Sequence, residues 1–366
     1  MPSIYDISLY SGIAFMLYLL YLLVSKTRKW QISKLKYTRE FSTSGVFEGD
    51  SVVLIETIYN PTFLPMFFVD VEAFIHSKLA VSTVSAPDQS EEMQYLVSRF
   101  HLLPFMKIKR SHEVRCKARG YYFINTISIF SFKKEFIFDA PAELFVYPKL
   151  SDFSSVPHPQ NNLQGDAISA RRLLTDPFSI AGIRDYQSGD PFNMINFKAT
   201  AKTGFGHIKV NQRDFSSSRI FMIYINFQTG INSFMSTEKY ERLMEKALSN
   251  AATIIQNALE SGYHVGFSVN CYMVNGDYYL RFPITAGSYT FEEMLKAMAK
   301  IRSRVGIGFL SLTDFDIAEG LRDAEILLFT TYVDEVIDTQ TMKLEQNGNA
   351  VSVILLEDEP EGEVDE

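Results

Sequence analysis

The chain has 366 residues, and 46% of them are hydrophobic, so it can bury the cores of two or three domains. Its formal net charge is −8, but seven acidic residues lie in the last ten positions, 357–366, so the body of the chain is nearly neutral. A nearly neutral body argues against nucleic acid as a partner. Two distant cysteines, Cys116 and Cys271, and scattered histidines predict neither a disulfide framework nor a zinc site.

The first element predicted along the chain is a transmembrane helix over residues 7–25. Residues 7–24 carry no charge and would span about 27 Å as a helix. Asp6 precedes the run, whereas Lys26, Arg28 and Lys29 follow it. By the positive-inside rule this predicts a single-pass protein of the bacterial cell membrane with cytoplasmic domains. A cleaved signal peptide would need basic residues before the run, and a buried core helix would need a polar face.

Residues 36–148 predict an antiparallel β-sandwich. Residues 51–59 are rich in β-branched side chains behind a turn at Glu48-Gly49-Asp50, and further short strands follow at the spacing of a sandwich.

Residues 149–215 form a predicted linker followed by the most informative stretch of the chain, residues 184–202. Asp190 is a suitable N-cap and Pro191 fits the first helical position. Met194, Ile195 and Lys198 then follow at helical spacing. The stretch predicts a turn that starts a helix. Alternatively, it is a contact site for a partner protein.

Residues 216–356 alternate between strands and helices, which predicts an α/β layer with a mainly parallel sheet. An almost continuous apolar run at 218–227 indicates a strand buried on both faces. An amphipathic helix is predicted from Thr237 to Ser261, ended by Gly262. The acidic tail, residues 357–366, is predicted to be disordered, with a partner-docking role as the alternative.

The stretch of residues 184–202 resembles the signature of the bacterial domain-of-unknown-function-58 family, although Asn193 and Phe197 stand where arginine and tryptophan are common. Seven residues carry the resemblance and are the candidate interaction residues: Arg184, Tyr186, Gly189, Asp190, Ile195, Phe197 and Ala201. The resemblance implies a membrane-anchored β-domain followed by a doubly wound von Willebrand factor A-like domain. It also implies a MoxR-type AAA+ ATPase as partner, in complex assembly or envelope-related processes.

The same resemblance places a degenerate metal site after the first strand of the α/β domain. Many von Willebrand A domains bind Mg²⁺ there through Asp-x-Ser-x-Ser, whereas the aligned residues here are Asn226, Gln228 and Gly230. Neutral amides do not replace a carboxylate opposite a dication. We therefore expect neither a metal nor another cofactor.

No catalytic motif stands out. The sequence has no Gly-x-Ser-x-Gly, no phosphate-binding loop and no His-Glu-x-x-His. The expected function is a membrane-anchored, non-enzymatic adaptor or scaffold. The alternatives are a metal-dependent, adhesion-type ligand-binding module and a hydrolase that uses acids near the signature.

Overall fold

The computed structural model describes residues 4–81, 93–131, 134–151, 180–186, 195–203, 208–213, 220–230, 235–284 and 290–357. The chain divides into two compact units. The first consists of Met1–Leu150 with Leu295–Ile301, and the second of Ser151–Met294 with Arg302–Glu366.

The described residues contain six helices. They are α1 (Ile4–Lys34), α2 (Phe197–Thr203), α3 (Thr237–Glu260), α4 (Phe291–Ala299), α5 (Phe309–Ala318) and α6 (Glu335–Gln346).

The predicted transmembrane helix is not found. Within the part of the chain that the structure describes, no helix combines the length and the apolar character that a membrane span needs. The apolar run is interrupted by Ser8, Ser11 and Gly12, and α1 continues through its basic residues to Lys34 instead of ending with the run. At its carboxyl end, Ile32 is buried in the core of the first unit.

Nine strands build the first unit. They are β1 (Lys36–Phe41), β2 (Gly45–Phe47), β3 (Ser51–Tyr59), β4 (Met66–His76), β5 (Leu79–Val81), β6 (Met93–Leu102), β7 (Lys107–Cys116), β8 (Gly120–Ser131) and β9 (Lys134–Tyr147). They form sheets of order β1-β3-β7-β5 and β2-β9-β8-β4-β6. Alternate residues of β3 and β6 point into one apolar core, as period-two patterning requires.

The second unit contains a five-stranded sheet of order β15-β13-β12-β17-β18. Its strands are β12 (Ile220–Ile225), β13 (His264–Val269), β15 (Leu280–Phe282), β17 (Ala324–Thr330) and β18 (Ala350–Leu355). Four further short strands are β10 (Ile180–Asp185), β11 (Lys209–Arg213), β14 (Cys271–Met273) and β16 (Ile301–Val305). Every residue of β17 is buried, which explains its continuous apolar sequence.

The predicted fold class is therefore wrong in two respects: no membrane-spanning helix is found among the described residues, and both five-stranded sheets are mixed. In the first unit β2 pairs parallel with β9, so the sandwich is not purely antiparallel. In the second unit β15 pairs antiparallel with β13, so the doubly wound sheet has a reversed edge. The reason for that reversed edge is a hairpin whose turn contains Gly276 at φ +95°.

Candidate functional site

A two-stranded antiparallel sheet, formed by β10 and β11, carries the first part of the signature. β10 pairs with β11, with Arg184 opposite Val210 and Asp185 opposite Lys209. Lys209 Nζ lies 2.8 Å from Asp185 Oδ1, and the amide of Tyr186 donates to the carbonyl of Ile208 at 2.8 Å. Arg184 and Tyr186 are half-buried. Arg184 and Tyr186 are therefore part of the structural framework of this small sheet.

The predicted start of the signature helix, at Asp190 and Pro191, lies outside the described residues, and the described helix has another cap. Asn196 Oδ1 accepts from the amide of Ala199 at 2.9 Å, and α2 begins at Phe197. Ile195 is not helical, because it forms an isolated antiparallel bridge with Val210. Asparagine caps a helix as well as aspartate does, and a β-branched isoleucine suits the extended position before it.

Two signature positions, Gly189 and Asp190, lie outside the described residues. A hydrogen bond connects α2 to β11, since the amide of Lys209 donates to Thr200 Oγ1 at 2.9 Å. The structure thus brings the described signature residues together on the β10–β11 sheet and one short helix.

The outer face of α2 consists of Phe197, Lys198, Ala201 and Lys202, which are all exposed. Their i, i+1, i+4 and i+5 spacing places them on one side of a helix. Phe197 is 75% exposed, an unusual environment for a phenylalanine side chain. An exposed aromatic ring beside two lysines is a surface suited to contact with another molecule.

The degenerate metal positions follow β12, where a network of neutral side chains holds the strand ends together. Asn226 is fully buried, and its Oδ1 accepts from the amide of Gln228 at 3.0 Å and from Asn270 Nδ2 at 2.8 Å. Its Nδ2 donates to Thr330 Oγ1 at 3.3 Å. Both ends of the Asn226 amide are therefore used to join β12 to its neighbours.

The other positions near this edge are also occupied by structural contacts. Gln228 Oε1 accepts from the amide of Phe309 at 2.7 Å, at the start of α5. Asp334 caps α6 by accepting from the amide of Ile337 at 2.9 Å. Gly230 lies beside the ring of Tyr332. Within the described ranges, no three His, Cys, Asp or Glu side chains lie close enough together to hold a metal ion.

A cavity of about 280 Å³ lies next to this network, and no motif in the sequence predicted it. Its lining includes Phe227, Tyr240 and Arg304, which come from separate elements. Tyr240 donates to the carbonyl of Phe227 at 2.6 Å, and burial raises the pKa of Tyr240 well above its ordinary value. The guanidinium of Arg304 stacks 4.9 Å from the ring centre of Tyr272. Two of the lining side chains, Tyr240 and Arg304, are thus already engaged in contacts within the protein.

The second unit therefore contains an α/β layer with a mixed sheet, together with the β10–β11 sheet and the helix α2 that carry the signature. The model of the family described as "Protein of unknown function DUF58" matches residues 182–361. This match supports the family indicated by the signature. No curated protein sequence matches the chain.

Solved structures resemble only parts of the chain. An alkylpurine DNA glycosylase, AlkC, from Pseudomonas fluorescens is 13% identical, with a TM-score of 0.21, over 31% of this chain and 30% of that one. The chain thus covers less than a third of that protein's length.

Two smaller domains are each similar to 31% of this chain. A PapD-like domain of human CEP192 is 12% identical with a TM-score of 0.19 over 84% of its length. The CARDB domain of a Pyrococcus furiosus protein is 12% identical with a TM-score of 0.21 over 91% of its length. At these scores the likenesses carry no functional argument.

Proposed function

We propose that this protein is a non-enzymatic adaptor that binds a partner protein through the outer face of α2. The observation that carries the proposal is the exposure of Phe197 beside the exposed Lys198 and Lys202. Exposed aromatic side chains are enriched where proteins bind one another, and they contribute much of the binding energy. The resemblance to the family suggests that the partner is a MoxR-type AAA+ ATPase.

The environment of the signature supports an interaction role. Asn196 caps α2 and Thr200 fastens it to β11, while Phe197 and Ala201 point outward. A short helix held by its inner face presents its outer side chains in a fixed arrangement, which lowers the entropy lost on binding. The fixed position of α2 therefore favours the binding of a partner protein.

The metal-dependent alternative has less support. The Asn226 amide joins β12 to Asn270 and Thr330, and Asp334 serves as a helix cap. A dication here would lack the carboxylate that the Asp-x-Ser-x-Ser pattern supplies, and Asn226 Oδ1 and Asp334 Oδ1 already accept hydrogen bonds within the protein.

Substituting Phe197→Ala tests the proposal. We expect the melting temperature to stay nearly unchanged, because the ring is mostly exposed. Affinity for a purified MoxR-type ATPase from the same organism should fall at least about tenfold, as for an interface hot spot. Isothermal titration of the full chain measures the affinity.

The matched control is Ile137→Ala, which removes a side chain that is 71% exposed in the first unit. Equal affinities of Phe197→Ala, Ile137→Ala and the unmodified protein would exclude α2 as the binding face. Absence of any binding to the ATPase would refute the named partner.

A further inference from the structure

One end of the first unit exposes a concentration of large apolar side chains, here called the aromatic tip. Its members are between 38% and 66% exposed, and they come from the end of α1, the β3–β4 turn, the start of β4 and the β6–β7 turn. They are Trp30, Phe63, Phe67, Phe68, Leu103, Phe105 and Met106.

Short-range contacts show that these segments lie side by side. The ring centres of Trp30 and Phe63 are 6.3 Å apart. The amide of Phe105 donates to the carbonyl of Thr62 at 3.3 Å. The end of α1 and both turns therefore form one continuous surface.

Buried polar side chains hold the tip in place from beneath. Asn60 is fully buried, and its Nδ2 donates to the carbonyls of Leu64 at 2.9 Å and Leu103 at 3.1 Å. Gln31, which is also buried, donates from Nε2 to the carbonyl of Leu64 at 3.2 Å. These bonds fix the turns that carry the exposed rings.

Two of the rings stand on backbone that phenylalanine rarely adopts. Phe68 has φ +55° and Phe105 has φ +57°, both in the left-handed region. The Phe68 ring also packs edge-on against His101, with 5.1 Å between ring centres. Such conformations persist where the surrounding structure enforces them, and they cluster at functional sites.

The charge around the tip is predominantly positive. The contributing stretches, residues 24–36, 60–69 and 101–109, contain no aspartate or glutamate. Lys26, Lys29, Lys107 and Lys109 are exposed within or beside them. The tip therefore combines an apolar centre with a surround in which positive charge predominates.

We infer that the aromatic tip binds the surface of a bilayer that contains anionic lipid. Aromatic side chains partition into the interfacial region of a bilayer, and nearby lysines are attracted to anionic headgroups. Exposed lysines dominate the surround of the tip, and the Asp70 carboxylate just beyond it is paired with Arg99 at 2.6 Å. This excess of positive charge favours an anionic lipid surface as the partner. The inference needs no membrane-crossing helix and is independent of the proposed adaptor function.

Trp30 provides a direct probe, because it is the single tryptophan of the chain. We would record its fluorescence in the full-length protein with vesicles of phosphatidylcholine alone or mixed with phosphatidylglycerol. We expect a blue shift and quenching by brominated phospholipid, stronger with phosphatidylglycerol and weaker in high salt. Soluble glycerol phosphate should cause no shift, since it offers the charge without an apolar layer.

The test variant is Phe63→Ser/Phe105→Ser, and the control is Phe123→Ser/Ile137→Ser, which changes exposed side chains elsewhere on the same unit. Vesicle affinity should fall about tenfold for each tip ring removed and stay unchanged in the control. Circular dichroism checks folding, and the single change Leu103→Ser replaces the double variant if that fails to fold.

An unshifted Trp30 spectrum, or equal affinities of tip and control variants, would overturn the inference. A Trp30 response to the ATPase but not to vesicles would assign the tip to a protein partner instead.

Discussion

Four buried polar side chains meet in the core of the first unit. Tyr37 donates to Glu56 Oε1 at 2.5 Å, and Ser98 donates to Glu56 Oε2 at 2.8 Å. His112 Nε2 lies 2.8 Å from the same Oε2. Because Ser98 is on β6 and the others are on the opposite sheet, the cluster joins the two layers.

The geometry of this cluster differs from that of a hydrolytic triad. In a triad the serine and the carboxylate bind opposite nitrogens of the histidine ring. Here Ser98 Oγ, at 3.5 Å, and Glu56 both face His112 Nε2. The cluster is a structural hydrogen-bond network around one carboxylate.

Burial raises the pKa of Glu56, but hydrogen bonds from His112, Tyr37 and Ser98 outweigh burial, so its pKa lies below the ordinary value. A carboxyl with a lowered pKa in the folded state stabilises the fold above its unfolded pKa. That stabilisation is lost as the pH falls through the folded pKa. The first unit should therefore lose stability in acid, below about pH 4.

Glu56→Gln should destabilise the first unit by about 1–3 kcal/mol at neutral pH, because it weakens a buried network. The difference from the unmodified protein should shrink towards about pH 3. Denaturant unfolding followed by Trp30 fluorescence measures this. Glu113→Gln, an exposed position next to His112 on β7, is the control. A destabilisation that is the same at both pH values would contradict the assignment.

At the scale of elements, α2 depends on its cap more than on its length. It has seven residues, and helices this short are unstable in isolation. The Asn196 side chain accepts from Ala199, and the Asn196 carbonyl accepts from the amide of Thr200 at 2.9 Å. These bonds and the contact with β11 keep the helix formed.

Replacing the cap by Asn196→Ala should cost about 1 kcal/mol of local stability. Hydrogen exchange of residues 197–203 should become faster, while exchange in α3 stays unchanged. Lys198→Ala, on the outer face, should leave the protection of α2 intact. Unchanged exchange in the capped helix would show that the contact with β11 alone maintains it.

At the scale of the whole molecule, the cores of the two units come from different patterns of apolar residues. The first buries alternate residues between two sheets, whereas the second buries continuous apolar strands under helices such as α3. At the carboxyl end of β12, amides take the place where the family resemblance would put metal ligands.

Millimolar Mg²⁺ should therefore leave the thermal unfolding of the full chain unchanged. A micromolar site would add about 4 kcal/mol of stability at that concentration and raise a melting temperature visibly. Differential scanning calorimetry with Mg²⁺ and with a chelator makes the comparison. A Mg²⁺-induced shift that disappears in Asn226→Ala would disprove the prediction.

Local patterns were sufficient to predict several elements. The helix predicted from Thr237 to Ser261 is α3, Thr237–Glu260, because its amphipathic period and the left-handed Gly262 act within neighbouring turns. The apolar run of β12 likewise predicted burial on both faces. The signature also indicated the family whose model matches residues 182–361.

Tertiary structure decided what local patterns could not. Ile195 pairs with Val210 instead of joining a helix, because a strand partner distant in sequence offers it a hydrogen-bonded bridge. The parallel pairing of β2 with β9 joins segments about a hundred residues apart, which no short-range period encodes. The amides of Asn226 and Asn270 also meet only because the folded chain brings distant segments together. The same holds for the segments of the aromatic tip. Sequence specifies which side chains are available, but chain folding over long separations determines which of them touch.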